Sequence, residues 1–401
     1  MHILTGGITA VPGIRAAGIA AGIKKTDVLD LALIVSECDA VAAGVFTTNQ
    51  VPAAPVLLDQ RRLRRGKSRA ILANSGNANA CTGRRGYRDA VEMAALTARA
   101  LGLSPEDVLI GSTGVIGKPL PMERLRAAIP ALAARLHSDG GEDAARAIMT
   151  TDTTVKMSAA RATIGGRPVT VGGIAKGSGM IHPDMATMLA YVATDAKLSR
   201  TQLQKALRRA TNQSFNRLPV DGDTSTNDMA ICLANGLAGN RPLSPGGPDA
   251  RRFQGLLDHV CRELAKMIAW DGEGATKYVE LVVKGARTES DALKVAQTIA
   301  NSNLVKTAWF GQDANWGRIM AAIGRAGVRI NQERIGITYG NVPVVRRGLG
   351  LGPSAEDRAG VILKQREFGL TVDLGLGTGK AQVWTMDLSM DYIKINASYR
   401  S

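Results

Sequence analysis

The sequence predicts a mixed α/β protein, of the α/β or α+β class. Three observations carry this: apolar runs of strand length, longer segments with apolar residues at helical spacing, and both kinds recurring along the whole chain. Leu31-Ala32-Leu33-Ile34-Val35 is a continuous apolar run and predicts a buried strand. Val56 to Asp59 and Ala70 to Ala73 resemble it and are also expected as strands. Val91, Ala94, Ala95, Ala98 and Leu101 recur at helical spacing, and Ser104-Pro105 follows as a stop. Met122 to Leu136 and Glu142 to Met149 predict two more helices. Leu256, Leu257, Val260, Cys261, Leu264, Met267 and Ile268 make one long apolar helix face. Tyr278 to Val283 predicts a strand, and Trp384, Met386 and Leu388 alternate with their neighbours.

Composition bounds the function. The 401 residues allow two or three domains, and 45% hydrophobic with 21% charged residues is globular rather than disordered. No apolar run has the length of a membrane-spanning helix. The net charge is +15, but the basic residues are dispersed. The densest run, Arg61 to Lys67, has no aromatic neighbours on which bases could stack, so neither nucleic acid nor a membrane is expected as a partner. The four cysteines form no C-x-x-C pair and the four histidines are too sparse for a zinc site, so no metal is expected. Met1-His2-Ile3-Leu4 does not begin a signal peptide, and the expected location is the cytoplasm.

Familiar catalytic signatures are missing. There is no G-x-S-x-G elbow, and Gly111 to Gly117 lacks the Lys-Ser/Thr ending of a phosphate loop. Of the four histidines, His137 and His259 fall in expected helical stretches, and a triad would use His182 by default, which is weak support. A hydroxyl nucleophile must then be activated by something other than histidine. A threonine whose own α-amine is freed by cleavage meets that need, because the amine is the adjacent base. Met185-Ala186-Thr187-Met188-Leu189 offers a small residue before the threonine and an apolar run after it. Ala-Thr pairs are common, so the residues alone leave this open. Asn74 to Gly83 and Lys176 to Leu189 are both rich in small polar residues, and their composition alone favours plain turns over a site.

Ordered motifs add weight. Gly6 to Ala10, Gly18 to Lys24, Asn74 to Gly83, Ser112 to Gly117, Met149 to Thr153, Lys176 to Met180, Met185 to Leu189, Asp221 to Asp228, Asp271 to Lys277, Asn315 to Ile319 and Ile395 to Ser401 follow in sequence. With these the chain resembles the ornithine acetyltransferase family, the bifunctional glutamate N-acetyltransferases of arginine biosynthesis, over nearly its whole length. The resemblance implies a self-processing N-terminal-nucleophile enzyme: a layered α/β/β/α sandwich of two pseudo-similar halves. Cleavage between Ala186 and Thr187 would leave an α chain of 1–186 and a β chain of 187–401, or 401 − 186 = 215 residues. The implied activity moves the acetyl group of N-acetylornithine to glutamate. No cofactor is implied, acetyl-CoA as a second donor is left undecided, and paired αβ units of α2β2 or higher order are expected.

Residue roles carry over in the same way. Thr187 would be the nucleophile, with its α-amine as base. The Thr113 hydroxyl and the Gly114 N–H would hold the oxyanion. Lys176 would take the substrate α-carboxylate, with Thr150 in the same pocket. Glu273 would meet the ornithine ammonium, and Asn396 and Ser401 would close the pocket. His182 and Ala314 depart from the usual pattern, with Ala and Pro more common at those places. Asp221 to Thr226 is expected as a self-bonded turn, Asn74, Asn77 and Asn79 as scaffolding or site lining, and Asn315 to Arg318 as a structural corner. Two competing readings are an N-terminal-nucleophile aminopeptidase or amidohydrolase and a basic binding protein.

Overall fold

The computed structural model describes residues 1–24, 27–181 and 188–398. Contacts divide the chain into two units: Met1–Asn216 with Asp223–Ile268, and Arg217–Gly222 with Ala269–Ser401.

Among the described residues the first unit has nine strands: β1 (His2–Leu4), β2 (Ile14–Ile19), β3 (Leu31–Phe46), β4 (Lys67–Asn74), β5 (Val108–Ser112), β6 (Lys156–Ile164), β7 (Arg167–Lys176), β8 (Leu189–Thr194) and β9 (Met229–Ala234). They form one sheet in the order β1-β6-β7-β8-β9-β3-β4-β5, with β2 also on β3. The helices are α1 (Ala54–Arg62), α2 (Gly83–Leu101), α3 (Met122–Ala134), α4 (Gly141–Ala147), α5 (Arg200–Asn212) and α6 (Pro248–Trp270), whose last turn passes into the second unit.

β3 folds this sheet on itself. Its first part, Leu31 to Ser36, pairs with β2 and its last part, Val41 to Phe46, pairs with β9; the register against β4 shifts between Val35 and Ala40. Such a bulge bends a strand and re-aims the residues beyond it. Alternate residues of the first part face opposite cores: Leu31, Leu33 and Val35 meet α2 and α3, while Ala32 and Ile34 face inward. The inner core also takes Ile71 and Leu109 from β4 and β5, and Tyr191 and Ile231 from β8 and β9. α5 packs on β9 and on the last part of β3 and buries Leu203 and Leu207, while α6 buries Leu257 and sets Leu264 beside Gly173 of β7. The α/β/β/α layering is therefore present within this unit, and it pairs the two arms of one folded sheet.

The second unit has its own sheet: β10 (Tyr278–Ala286), β11 (Gly336–Tyr339), β12 (Val342–Arg346), β13 (Leu349–Gly350), β14 (Glu367–Asp373) and β15 (Gly379–Met386), in the order β13-β12-β11-β14-β10-β15. Helices α7 (Glu289–Ala300), α8 (Asn303–Phe310), α9 (Trp316–Gly324), α10 (Pro353–Leu363) and α11 (Met390–Ala397) accompany it. Its aliphatic core gathers around Trp309. The two units thus differ in strand number and order.

Several expectations are corrected. Val56 to Asp59 lies in helix α1, started by Pro55 in its first turn; a short apolar run cannot be told from a buried helix by periodicity alone. The α2 stripe is Ala90, Met93, Ala94, Thr97 and Ala98, and Val91 is exposed. α3 stops at Ala134, so His137 sits in an isolated bridge to Ala16 rather than in a helix. The α6 face is as expected, with Cys232 and Cys261 both buried. Asn315 caps α9 by accepting from the Arg318 N–H, the structural corner expected there. Among the described residues no helix is long and apolar enough to cross a membrane.

Candidate active site

β4 and β5 run parallel, and their carboxyl ends place Asn74 opposite Ser112. Sites in open α/β sheets gather at such ends. The loop after β4 is tied down by its own amides. Asn74 accepts from the Ser112 hydroxyl (2.7 Å) and donates to the Asn77 carbonyl (2.8 Å). Asn77 accepts from the Asn79 N–H (2.8 Å) and donates to the Lys118 and Pro119 carbonyls (3.1 Å each). Asn79 donates to the Gly86 carbonyl (2.8 Å). These three asparagines are scaffolding.

That scaffold holds the turn at Thr113-Gly114. The Thr113 N–H donates to the Asn74 carbonyl (3.0 Å). Gly114 has φ +131°, and a Cβ there would lie 2.4 Å from the Gly76 carbonyl carbon. Only glycine fits both the angle and the space. Among the described residues the Gly114 N–H has no acceptor. The Thr113 side chain is buried and accepts a hydrogen bond from Lys176 Nζ (3.3 Å). With a lone pair taken by that ammonium, the hydroxyl proton points elsewhere. An oriented O–H and an unused N–H on adjacent residues are what an oxyanion needs.

Lys176 ends β7 and is 2% exposed. Besides Thr113 it donates to Thr150 Oγ1 (2.7 Å), and its ammonium lies 3.9 Å from Asp152 Oδ2. Asp152 is the charge that makes this burial tolerable. Its side chain is fully buried, accepts from Lys156 Nζ (2.6 Å) and the Gly177 N–H (2.7 Å), and takes the Thr150 N–H on its other oxygen (3.0 Å). Burial alone would raise its carboxyl, but Lys176 and Lys156 overcome that and hold it down at about 2. Lys24 completes the cluster by donating to the Met149 carbonyl (2.7 Å). Asp30 bends the chain there by accepting from the Ala21, Ile23 and Lys24 N–H groups. Burial lowers the Lys24 ammonium to about 8; Asp30 opposes this and Lys176 adds to it. Lys24, Lys156 and Lys176 against Asp152 and Asp30 leave this cluster with a net positive charge.

In the second unit, Glu273 lies in the turn between α6 and β10. It is 7% exposed and accepts from Asn396 Nδ2 of α11 (2.8 Å). Buried Asp387 fixes the turn by accepting from the Thr276 and Lys277 N–H groups (2.9 Å each), and Ser389 donates to the Gly274 carbonyl (2.6 Å).

The structure thus brings together Thr113, Gly114, Thr150 and Lys176 in one unit, and Glu273 with Asn396 in the other. Ala186, Thr187, Ser401 and the departure at His182 lie outside the described residues. Sequence reasoning missed Lys24, Asp152 and Lys156, which bring charge to the site. The available signal was an acidic residue among hydroxyls, with a lysine four residues on, in Thr150-Thr151-Asp152-Thr153-Thr154-Val155-Lys156.

A buried ammonium joined to two hydroxyls, beside a glycine turn in an α/β fold, marks the class: an α/β enzyme. Comparison with known proteins gives the family. The ArgJ family model matches residues 15–401. A Geobacter sulfurreducens protein named arginine biosynthesis bifunctional protein ArgJ is 54% identical, over 98% of this chain and all of the relative. The Symbiobacterium thermophilum protein of the same name is 53% identical over the whole of both chains. Among solved structures, the arginine biosynthesis bifunctional protein argJ of Bacillus halodurans is 47% identical with a TM-score of 0.52, covering 53% of this chain and all of that one. The chain belongs to the ArgJ family.

Proposed function

We propose that this enzyme transfers the acetyl group of N-acetylornithine to glutamate in arginine biosynthesis, through an acetyl ester on Thr187. The observation that carries the reading is the joining of Lys176 to both Thr113 and Thr150: the carboxylate holder and the oxyanion donor are one hydrogen-bonded unit. The chain first cuts itself between Ala186 and Thr187. The freed α-amine takes the Thr187 hydroxyl proton as the oxygen attacks the acetyl carbonyl. The oxyanion rests on the Thr113 hydroxyl and the Gly114 N–H. Collapse expels ornithine, whose nitrogen takes the proton back. Glutamate enters the same pocket, Lys176 holds its α-carboxylate, and its neutral amine attacks the ester; the acetyl–Oγ bond breaks, the Thr187 oxygen takes back the amine's proton by way of the α-amine, and acetylglutamate leaves. Glu273 with Asn396 and Ser401 recognises the substrate side chain.

Two findings support parts of this. The solved Bacillus halodurans chain is matched in full by 53% of this chain, about the share that residues 187–401 make up, as expected if that relative consists of two chains. The word bifunctional in the relatives' names supports a second activity, for which acetyl-CoA is the donor to test. We further propose that both chains stay associated, as α2β2 or a larger assembly, in the cytoplasm. The test is Thr187→Ala. Intact mass should show an uncut chain, and acetyl transfer from N-acetylornithine to glutamate should vanish. A normally processed variant, or release of free acetate in place of acetylglutamate by the wild type, overturns the proposal.

A further inference from the structure

Residues 225–228 lead into β9 and are buried. Asn227 Nδ2 donates to two carbonyls of the oxyanion scaffold, Ala78 (2.6 Å) and Ser112 (2.8 Å), the second being the residue before Thr113. The next residue, Asp228, has no exposed surface, and its Oδ1 accepts from the Met188 N–H (2.8 Å), the residue after Thr187. The backbone tightens both grips: the Met229 N–H donates to the Met188 carbonyl (3.2 Å) and the Thr47 N–H to the Asp228 carbonyl (3.0 Å). Among the described residues Asp228 Oδ2 is buried with no hydrogen-bond partner within ordinary bonding distance and angle. An unpaired buried carboxylate oxygen is costly, which disfavours the charged form of the group. Burial raises it well above the carboxylate range, against weaker pulls from the Met188 N–H, Lys176 and the Ser225 hydroxyl.

We propose that Asn227 and Asp228 are positioning residues for the reaction. One dipeptide holds the Thr113-Gly114 turn through Asn227 and Met188, at the start of β8, through Asp228, and so fixes that turn relative to the chain directly after the proposed nucleophile. Asp228 acts here through the hydrogen bond its Oδ1 accepts from the Met188 N–H. The inference rests on Thr187 being the nucleophile. A rigid two-residue ruler is the economical device for this task, because a nucleophile displaced by about 1 Å can lose on the order of a hundredfold in rate.

The test compares Asp228→Asn, Asp228→Ala and Asn227→Ala, each followed for self-cleavage and for transfer from N-acetylornithine to glutamate. Asp228→Asn keeps an acceptor oxygen and should retain cleavage and a turnover within about tenfold of wild type. Asp228→Ala and Asn227→Ala should lower kcat on the order of a hundredfold while leaving KM within about twofold. Circular dichroism confirms the fold of each; if Asp228→Ala is unfolded, the other two decide. Asn227→Ala with wild-type kcat, or with only a raised KM, overturns the proposal. So does a folded Asp228→Asn protein without activity, which would make the carboxyl an acid rather than an acceptor. Thr187→Ala run in parallel separates the premises: if it is inert while Asn227→Ala is normal, the ruler fails and the nucleophile stands. A Thr187→Ala enzyme that still cuts and transfers removes both.

Discussion

Asp152→Asn is the most informative single perturbation of the site. The substitution keeps size and an acceptor oxygen but removes the negative charge between two buried ammonium groups, Lys156 at 2.6 Å and Lys176 at 3.9 Å. The wild-type carboxyl stands at about 2 against an ordinary 3.8. That difference corresponds to stabilisation on the order of 2 kcal/mol at neutral pH. Leaving two buried cations facing one another adds to the loss, and breaking a buried pair commonly costs about 3–5 kcal/mol. We expect the variant to be destabilised by roughly 3 kcal/mol at pH 7. Urea unfolding of both proteins measures it as a lowered midpoint at unchanged slope. The sign with pH is an internal control. A depressed carboxyl stabilises above its unfolded value and loses that contribution as pH falls through its folded one. The gap between wild type and variant should therefore narrow as pH drops from 5 towards 2. A gap under about 1 kcal/mol at pH 7, or one that does not change on acidification, would refute the assignment of Asp152 as the counter-charge.

The same geometry sets further outcomes. Lys24, lowered to about 8, should lose its proton as pH rises through that value, so the KM of N-acetylornithine should rise several-fold between pH 7 and 9. Lys24→Met should start from the higher KM and lack that limb; a variant with the wild-type profile contradicts the reading. Gly114→Ala must place a Cβ against the Gly76 backbone at a strained φ, and should lower turnover on the order of a hundredfold by displacing the oxyanion N–H. Steady-state kinetics that show an unchanged kcat would count against that role. Glu273→Gln should weaken N-acetylornithine use more than glutamate use, and double-reciprocal plots of the wild type should give parallel lines. Intersecting lines, with no acetyl adduct on residues 187–401 after mixing with N-acetylornithine alone, would rule out the covalent route.

The α/β class, the Leu31–Val35 strand and the α6 face were legible because each is a local pattern. A strand buried on both sides is apolar throughout, and a long amphipathic helix repeats its face several times. Thr113-Gly114, Thr150 and Lys176 were singled out by another route, the resemblance carried by the order of short motifs along the chain, since composition alone favoured plain turns. Val56 to Asp59 was not legible, since four apolar-leaning residues fit a strand or a helix until Pro55 and the packing below decide. Nor could the pattern show that β3 continues for 16 residues and bends between Val35 and Ala40, because the bend depends on which strand pairs with each part.

The sequence by itself determined the kinds of chemistry present: hydroxyls, a glycine turn, lysines and carboxylates, with histidine almost absent. The tertiary structure decided which charges compensate which. Lys24 reaches the Met149 carbonyl across 125 residues of chain, and Asp228 meets Met188 across 40. Whether a buried lysine keeps its charge, or a buried carboxyl gives its charge up, depends on neighbours within a few ångströms. Only the folded chain makes residues so distant in sequence into neighbours.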